Sequence, residues 1–471
     1  MLTLAIFLDV PDSFKAEASY TIENIFYPFA DEVVFVDDSN KLQKFRNKII
    51  YCYEDSRILY DSSISDDVLF LILEKRTLSF FSSFQPYDLT NIEQINGVPC
   101  LFPLRSKLFK RRITNIFPFD IVAASFFFLS CWQEYSISAR DSKGRIPLTE
   151  TLQHKLDIIR LPIVNQYLNL LINFLSKLGG ERLEPKPMPG GGSVYVALSH
   201  DVDHIDWPLS KYIRWLIGCR HSIDWSNHNL LSLFRNLLGK KYIFDAIKYL
   251  ELKHGAASTY YFLANYFPHK HSLFAKSLIK ALDGTSFEVA HHISHQSIFE
   301  KTLDKDHRTF RPMVRKLHGA RVHTLAFEVG PLFRQLEEQG YLYDNSLLFA
   351  ENLGYRTGFT YPHYIFDPAR KCQFDVVSIP LNVMDGTHFD RMYLSLNDND
   401  AENDLMSFLH SVIPFGGAIS ILFHNNSFFR NTDSRLRMYG RLLRFFVEQE
   451  IRIGTCRELF FWRKGLSIGI T

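Results

Sequence analysis

The 471-residue sequence has few cysteines and no closely spaced cysteine pair. Its 6 cysteines are scattered, and none has the CxxC spacing of zinc ribbons or redox motifs. This distribution is more typical of reduced thiols in a cytosolic protein than of a disulfide scaffold. We therefore expect a cytoplasmic protein without structural disulfides.

Long hydrophobic runs are also missing. The longest, Ile121 to Trp132, is bracketed by acidic residues and is too short to span a bilayer. The first ten residues lack the basic segment of a signal peptide and reach Asp9 early, so they predict a first strand. We expect a soluble protein with no transmembrane segment. Peripheral membrane contact through the aromatic segment 459–464 is left open, although a core helix explains that segment better.

The charge balance excludes a further class of function. The 53 lysines and arginines against 51 aspartates and glutamates give a formal net charge of +2, and no Lys/Arg-rich run is present. Proteins that bind nucleic acids concentrate basic residues to neutralise phosphates, so we expect no nucleic-acid partner. The sequence also contains no glycine-rich phosphate loop and no internal repeat.

A proline- and glycine-rich stretch divides the chain. Glu184 to Ser193 contains three prolines followed by three glycines, which neither helix nor strand tolerates. We predict an amino-terminal α/β domain of unknown role over 1–185, a linker over 186–193 and a second domain over 194–471. The elements predicted upstream are strands at Leu2–Phe7, Glu32–Val36, Lys48–Tyr53 and Val68–Leu73, and helices at Phe119–Tyr135 and Leu161–Leu178.

Downstream of the linker, strands and helices alternate regularly. This alternation predicts a parallel sheet covered by helices, either open or closed into a barrel. In such folds the active site gathers at the carboxyl ends of the strands. The predicted strands are Ser193–Ser199, Ser258–Leu263, Phe287–Ala290, Phe374–Ile379 and Ala418–Phe423, and the predicted helices are Tyr242–His254, Gly330–Gln339, Leu405–Val412 and Ser434–Glu450.

Ionisable side chains accumulate at four of the places where loops should leave strands. They are Asp201 with Asp203, the three histidines of 288–295, Arg321 with His323, and His424. A carboxylate and two imidazoles with an open position form a catalytic site for zinc or a similar divalent ion. A second carboxylate can take a proton from water, an arginine can hold it ionised, and a separate histidine can protonate a departing amine. These parts predict metal-assisted hydrolysis of an amide or ester.

Each group also has an ordinary structural explanation. The two aspartates can cap a helix or turn, and the histidines can lie on a solvated face. Arg321 can form a surface ion pair, and His424 can be a satisfied polar cap. The shared placement of the four groups at strand ends favours a functional site.

The order of these motifs resembles the polysaccharide deacetylases with NodB homology, carbohydrate esterase family four. The Asp-Val-Asp within Ser199–His204 is similar to that of a bacterial subgroup with an uncharacterised amino-terminal domain. Upstream matches to that subgroup are Phe117–Asp120, Glu134–Tyr135 and Gly144–Pro147. The resemblance covers approximately residues 90–440. It implies an α/β fold in which a distorted (β/α)7-type barrel is preceded by a smaller α/β domain.

The resemblance implies a role for the matched residues of the reacting centre. Asp201 would be the general base, Asp203 a metal ligand and His424 the general acid. Arg321 keeps the arginine of the third motif without its usual proline, and Arg356 would orient the substrate or the base. The match Val383–Gly386 includes Asp385, to which we assign no role.

The histidine motif resembles the family pattern less closely. In that pattern the first histidine ligand lies four residues after a glutamate, and counting from Glu288 this position is His292. The second histidine ligand should lie four residues after the first, but the pair with this spacing is His291 and His295. We expect His295 to be one metal ligand and either His291 or His292 to be the other. His200 and His204, which flank the aspartates, would support the site or take no part in it.

From the resemblance we expect an enzyme that removes N-acetyl groups from an amino-sugar-containing glycan or glycan precursor. It would use a divalent metal, with zinc as the first choice. One alternative is a weakly active or inactive deacetylase-like protein that binds or assembles glycans, since the histidine spacing is irregular. Another is an O-acetyl esterase or a different non-peptide amidohydrolase, because the motifs describe the reacting centre and leave the pocket undefined.

Overall fold

A computed structural model describes residues 2–105, 115–203, 240–263, 272–430 and 432–466 of the chain. In it the amino-terminal part forms a small parallel sheet. Its strands are β1 (Thr3–Asp9), β2 (Glu32–Val36), β3 (Asn47–Tyr53) and β4 (Leu69–Leu73), in the order β2-β1-β3-β4. All five residues of β4 are apolar and buried, as expected for a parallel strand covered on both faces. A short antiparallel pair follows, β5 (Glu93–Ile95) with β6 (Val98–Cys100).

The helices of this part are α1 (Asp12–Phe26), α2 (Lys75–Phe80), α3 (Ile121–Leu129), α4 (Leu152–Lys155) and α5 (Ile163–Lys177). Helix α3 is buried at every position, which identifies the longest apolar run of the sequence as a core helix. It begins at Asp120, whose carboxylate accepts the backbone N–H of Ala123. It ends sooner than predicted, because Cys131 adopts a left-handed backbone with φ 53°. Among the described residues, no helix is long and apolar enough to cross a membrane.

The second sheet is built almost entirely of parallel strands. They are β7 (Val194–Val202), β8 (Thr259–Leu263), β9 (Glu288–Ile293), β10 (Gly319–Val322), β11 (Tyr343–Asp344), β12 (His363–Asp367), β13 (Cys372–Ser378), β14 (Val383–Met384), β15 (Gly417–His424) and β16 (Arg452–Gly454). The order is β12-β13-β11-β10-β9-β8-β7-β15-β14, and β16 pairs with the start of β7. Only β12 is antiparallel to its neighbour among the described strands of this sheet.

Helices connect these strands in the alternation that the sequence predicts. They are α6 (Lys240–Lys253), α7 (Ser272–Leu282), α8 (His295–Phe299), α9 (Leu303–Phe310), α10 (Val329–Glu338), α11 (Asp385–Phe389), α12 (Asp398–Val412), α13 (Ser427–Arg430), α14 (Thr432–Glu448) and α15 (Cys456–Arg463). Parallel strands require such crossovers, because a tight hairpin can only join antiparallel neighbours.

The second sheet is strongly curled. Arg321 on β10 and Asp201 on β7 are separated by two intervening strands, yet the Nη1 and Oδ1 atoms are 2.7 Å apart. Three strand spacings in a flat sheet would be about 14 Å. The sheet therefore wraps around its inner face, and within the described residues its ends β12 and β14 do not pair. The predicted α/β fold, a distorted (β/α) barrel preceded by a smaller α/β part, is confirmed.

Alternation along β7 separates the two faces of this sheet. The inward residues are Tyr195, Ala197, Ser199 and Asp201, and the outward residues include Val196, Leu198 and His200. Successive side chains of a strand point to opposite faces. The apolar residues near the start of the strand therefore fill the barrel, and the polar residues near its end reach the barrel mouth.

One apolar cluster connects the two sheets. It runs from α1, α3 and α5 through α15 into the interior of the curled sheet. Leu459 and Phe460 of α15 are buried, and Trp462 donates its indole N–H to the carbonyl of Pro187 at 2.8 Å. The aromatic segment considered for membrane contact thus packs as a core helix. The division of the chain at 186–193 stays a prediction.

A buried ion pair also joins the two parts. Arg356 donates through Nε and Nη2 to the two carboxylate oxygens of Glu134, at 2.8 and 2.7 Å. The guanidinium lies between the rings of Phe327 and Phe349, and its remaining hydrogen bond goes to the carbonyl of Leu348. The structure thus places Arg356, which the resemblance assigns to the substrate or the base, against the amino-terminal part.

We predict that Arg356→Met destabilises the protein by about 3–5 kcal/mol, because it leaves Glu134 buried and unpaired. The double variant Arg356→Met/Glu134→Met should recover most of this loss, since no buried charge remains. Urea unfolding of the full chain measures both free energies. A stable Arg356→Met variant with impaired substrate binding would contradict the structural role.

Candidate metal centre and catalytic site

Three potential metal ligands converge at the barrel mouth. Asp203 follows β7, His292 lies on β9 and His323 follows β10 directly. Their ligand atoms all lie within 4.8 Å of one another. Asp203 and His292 are buried, whereas the side chain of His323 is 25% exposed. A carboxylate and two imidazoles with one accessible side are a donor set of catalytic zinc. We call Asp203, His292 and His323 the ligand triad.

The atoms of the ligand triad fit a divalent cation. Nε2 of His292 and Oδ1 of Asp203 are 3.1 Å apart, but both are buried without a well-formed hydrogen bond in the described part of the chain. Two ligands of a tetrahedral zinc ion would lie roughly 3.3 Å apart. The other ring nitrogen of His292 meets the carbonyl of Arg321 at 3.1 Å. Such a second contact is what fixes the tautomer and orientation of a metal-binding histidine.

Strand alternation separates His292 from its neighbour His291. On β9, His292 shares the inner face with Glu288, while His291 points outward. Nδ1 of His291 lies 2.5 Å from the hydroxyl of Tyr341, and its ring stacks on Phe310 with centroids 4.7 Å apart. Burial lowers the pKa of His291, so the ring is neutral. The two adjacent histidines therefore lie in different environments, and only His292 faces the aspartates.

The third position of the triad belongs to His323 and not to His295. His295 begins α8, with its ring centroid 5.8 Å from that of His323, and it lies outside the converging group. Nε2 of His323 is 3.8 Å from Oδ2 of Asp203. Burial and the charge of His292 lower the pKa of His323 to about 4, which leaves the neutral imidazole that a metal requires. The sequence signal for His323 is its position two residues after the inward-facing Arg321.

Asp201 is held by a fully buried arginine. Nη1 of Arg321 donates to Oδ1 of Asp201 at 2.7 Å, and Nη2 donates to the hydroxyl of Ser199 at 2.8 Å. Nε donates to the carbonyl of Asn345 at 2.9 Å, and the guanidinium lies 4.1 Å from the ring centroid of Tyr261. Arg321 thus fixes one oxygen of Asp201 and leaves the other directed at the ligand triad.

His424 faces the two aspartates from the end of β15. Its Nε2 is 3.9 Å from Asp201 Oδ2 and 3.8 Å from Asp203 Oδ2. Its Nδ1 lies 2.6 Å from Oδ1 of Asp385, whose other oxygen accepts the backbone N–H of His424 at 2.8 Å. Burial lowers the pKa of His424, but the three carboxylates outweigh it and raise the value to about 10. Asp385, which sequence reasoning left without a role, is the partner of the histidine.

Of the two histidines that flank the aspartates, the structure describes His200. His200 points outward, with Nδ1 at 3.1 Å from the carbonyl of Phe423 and Nε2 at 2.8 Å from Oε1 of Glu251. It is fully buried and supports β7 and β15 from behind the site. His204 lies outside the described residues.

Comparisons with known proteins cover the two parts of the chain unequally. A family of unknown function, DUF7033, matches residues 6–179. No curated protein matches the chain.

The chain is similar to several solved structures, at low sequence identity. A protein named as a polysaccharide deacetylase from Mycobacterium smegmatis is 16% identical, with a TM-score of 0.40, over 60% of this chain and 95% of that one. One from Pseudomonas aeruginosa is 13% identical, with a TM-score of 0.42, over 60% and 95%. A carbohydrate esterase family four pseudoenzyme from Bacillus anthracis is 15% identical, with a TM-score of 0.32, over 56% and 65%.

We predict that His323→Ala weakens Zn²⁺ binding by more than about 100-fold, because losing a ligand costs more than losing a supporting contact. The matched control is His295→Ala, which removes a neighbouring imidazole outside the triad and should leave the affinity near that of the wild type. Competition with a chromophoric chelator measures both dissociation constants. Loss of binding in His295→Ala alone would contradict the assignment of the triad.

Proposed function

We propose that this protein is a metal-dependent hydrolase that removes N-acetyl groups from an amino-sugar-containing glycan or glycan precursor. The observation that carries the proposal is the pair of oriented groups at the ligand triad. Asp201 is fixed by Arg321, and His424 is fixed by Asp385. The order of the sequence motifs supports the same class of reaction.

The ligand triad and Asp201 act in the first step, the attack of water on the acyl carbon. Asp203, His292 and His323 would hold a divalent cation, which would supply a Lewis acid for the acyl oxygen and lower the pKa of a nearby water. Asp201 takes the proton of the attacking water on Oδ2, since Oδ1 is occupied by Arg321. The buried guanidinium holds the carboxylate in the orientation that this transfer requires.

His424 completes the reaction from the other side. Its raised pKa keeps the imidazole protonated at neutral pH, and Asp385 holds Nδ1 so that Nε2 faces the reacting centre. As the bond between the carbonyl carbon and the nitrogen breaks, Nε2 gives its proton to the nitrogen. The water oxygen stays on the acyl carbon, and the products are acetate and a free amine.

The same geometry argues against a protein that only binds glycans. Burying Asp201, Arg321 and Asp385 costs desolvation energy that a binding surface has no need to spend. A fixed carboxylate and a fixed imidazole, both facing the ligand triad, are the arrangement that proton transfer to and from a substrate requires. An O-acetyl ester would engage the same groups with an oxygen leaving group, so it is compared directly in the assay.

We predict that Asp201→Asn lowers acetate release by about 10²- to 10⁴-fold while Zn²⁺ binding is retained, because the general base is lost. The assay uses the full chain loaded with Zn²⁺, with oligomers of N-acetylglucosamine and O-acetylated xylose oligomers as substrates. The exposed Asp375→Asn is the matched control and should behave as the wild type. Unchanged acetate release by Asp201→Asn would contradict the proposal, and release from the esters alone would favour the esterase.

We predict that Asp385→Asn lowers kcat by about 10²-fold or more with little change in KM or metal affinity. An asparagine has no negative charge to stabilise the imidazolium, and neither orientation of its amide can accept all the hydrogen bonds made by the two oxygens of Asp385. Steady-state kinetics on the same oligomers separates kcat from KM. A wild-type kcat would contradict the role of Asp385 in stabilising the acid His424.

A further inference from the structure

The backbone directly after His323 is held in an unusual conformation. Thr324 and Leu325 both have positive φ angles, 60° and 54°. The left-handed region is unfavourable for a non-glycine residue, so two in succession persist only where other contacts stabilise them. The hydroxyl of Thr324 is buried and has no hydrogen-bond partner among the described residues. The turn is therefore not stabilised by the threonine side chain.

An arginine of the amino-terminal part contacts this turn. Nη1 of Arg145 donates to the carbonyl of Thr324 at 3.4 Å and to the hydroxyl of Tyr393 at 2.6 Å. Nε of Arg145 donates to Oδ2 of Asp141 at 2.7 Å, and its backbone N–H donates to the other carboxylate oxygen at 2.9 Å. Arg145 is buried, so these contacts replace its hydration and fix the guanidinium in one position.

The loop 141–145 is itself anchored beside the site. Gly144 has a φ of 83°, and a Cβ there would lie 3.2 Å from the ring of Phe299. Phe299 ends α8, the helix that follows the metal-binding strand β9. The loop thus lies between α8 and the turn after His323, where only glycine allows so close an approach.

The amino-terminal part also reaches the side of the site that carries the acid. Arg160 donates to both oxygens of Asp404, at 2.7 and 3.0 Å. One of these oxygens lies 3.0 Å from Nε2 of His388 on α11, the helix that begins with Asp385. Contacts from this part therefore support both walls of the barrel mouth.

We propose that Arg145 is a positioning residue for the metal ligand His323. Its guanidinium stabilises the left-handed turn at Thr324 and so directs the preceding imidazole toward Asp203. The inference rests on the proposed metal site. It gives the region matched by the family of unknown function a role in shaping the metal centre of the barrel.

The test measures binding of Co²⁺ and Zn²⁺ alone by the full chain. We expect Arg145→Met to weaken both ions by about 10- to 100-fold, the usual effect of losing a contact that orients a ligand, and to change the Co²⁺ ligand-field spectrum. Arg140→Met is the matched control. Arg140 also spans the two parts, through Glu328 at 3.2 Å, but does not contact the turn. It should leave affinity and spectrum unchanged.

A rescue variant separates positioning from general stabilisation. Glycine adopts positive φ without steric cost, so Arg145→Met/Thr324→Gly should regain much of the lost affinity and the wild-type spectrum. If Arg145→Met fails to fold, Tyr393→Phe removes only the hydroxyl that shares Nη1, and a smaller loss in the same direction is expected.

The outcomes distinguish this inference from the proposed function. Wild-type affinity and spectrum in Arg145→Met, with no binding in His323→Ala, would overturn the role of Arg145 and leave the metal site standing. A loss that Thr324→Gly does not restore would likewise overturn it. A wild-type chain that binds neither ion would overturn the proposed function, and this inference with it.

Discussion

The ion pair between Arg321 and Asp201 is the interaction on which the site depends. Arg321 is fully buried, and a buried charge is tolerated only when its partners replace its hydration. Those partners come from β7 and from the segment after β11, so the pair is satisfied only when the sheet is curled and in register. A shift of one residue in β7 would turn Asp201 to the outer face and His200 to the inner one. Fold and site are therefore specified together.

Buried partners also give the ionisable groups of the site different properties, although these groups lie close together. Arg321 holds one oxygen of Asp201, while Asp385 raises the pKa of His424. Burial beside His292 keeps His323 neutral. Environments that push the pKa values of ionisable groups apart in this way would allow the proposed base, the proposed acid and the neutral His323 to coexist within a few ångströms. The amino-terminal part packs against the barrel through polar as well as apolar contacts. Arg145 and Glu134 supply buried polar contacts of this kind.

Much of the site was predictable from local patterns. Polar residues following apolar strands identified Asp201, Asp203, Arg321 and His424 as neighbours, and the structure brings all four together. The period of two along β9 and β10 distinguishes His292 from His291 and carries the inner face on to His323, although spacing rules alone pointed to His291 and His295. The contact between Arg356 and Glu134 was not predictable in this way, and the sequence instead suggested that Arg356 orients the substrate or the base. Its partner Glu134 lies in another part of the chain, and nothing local to either residue indicates the contact.

The sequence by itself determined the alternation of strands and helices and the placement of ionisable residues at strand ends, because both follow from neighbours along the chain. Only the tertiary structure decided which of those residues meet. Closure of the sheet brings distant strand ends to one mouth, and the face on which each side chain projects selects Asp203, His292 and His323 while it excludes His291. The roles of Asp385 and Arg145 emerge for the same reason, since each acts on a residue from a different element.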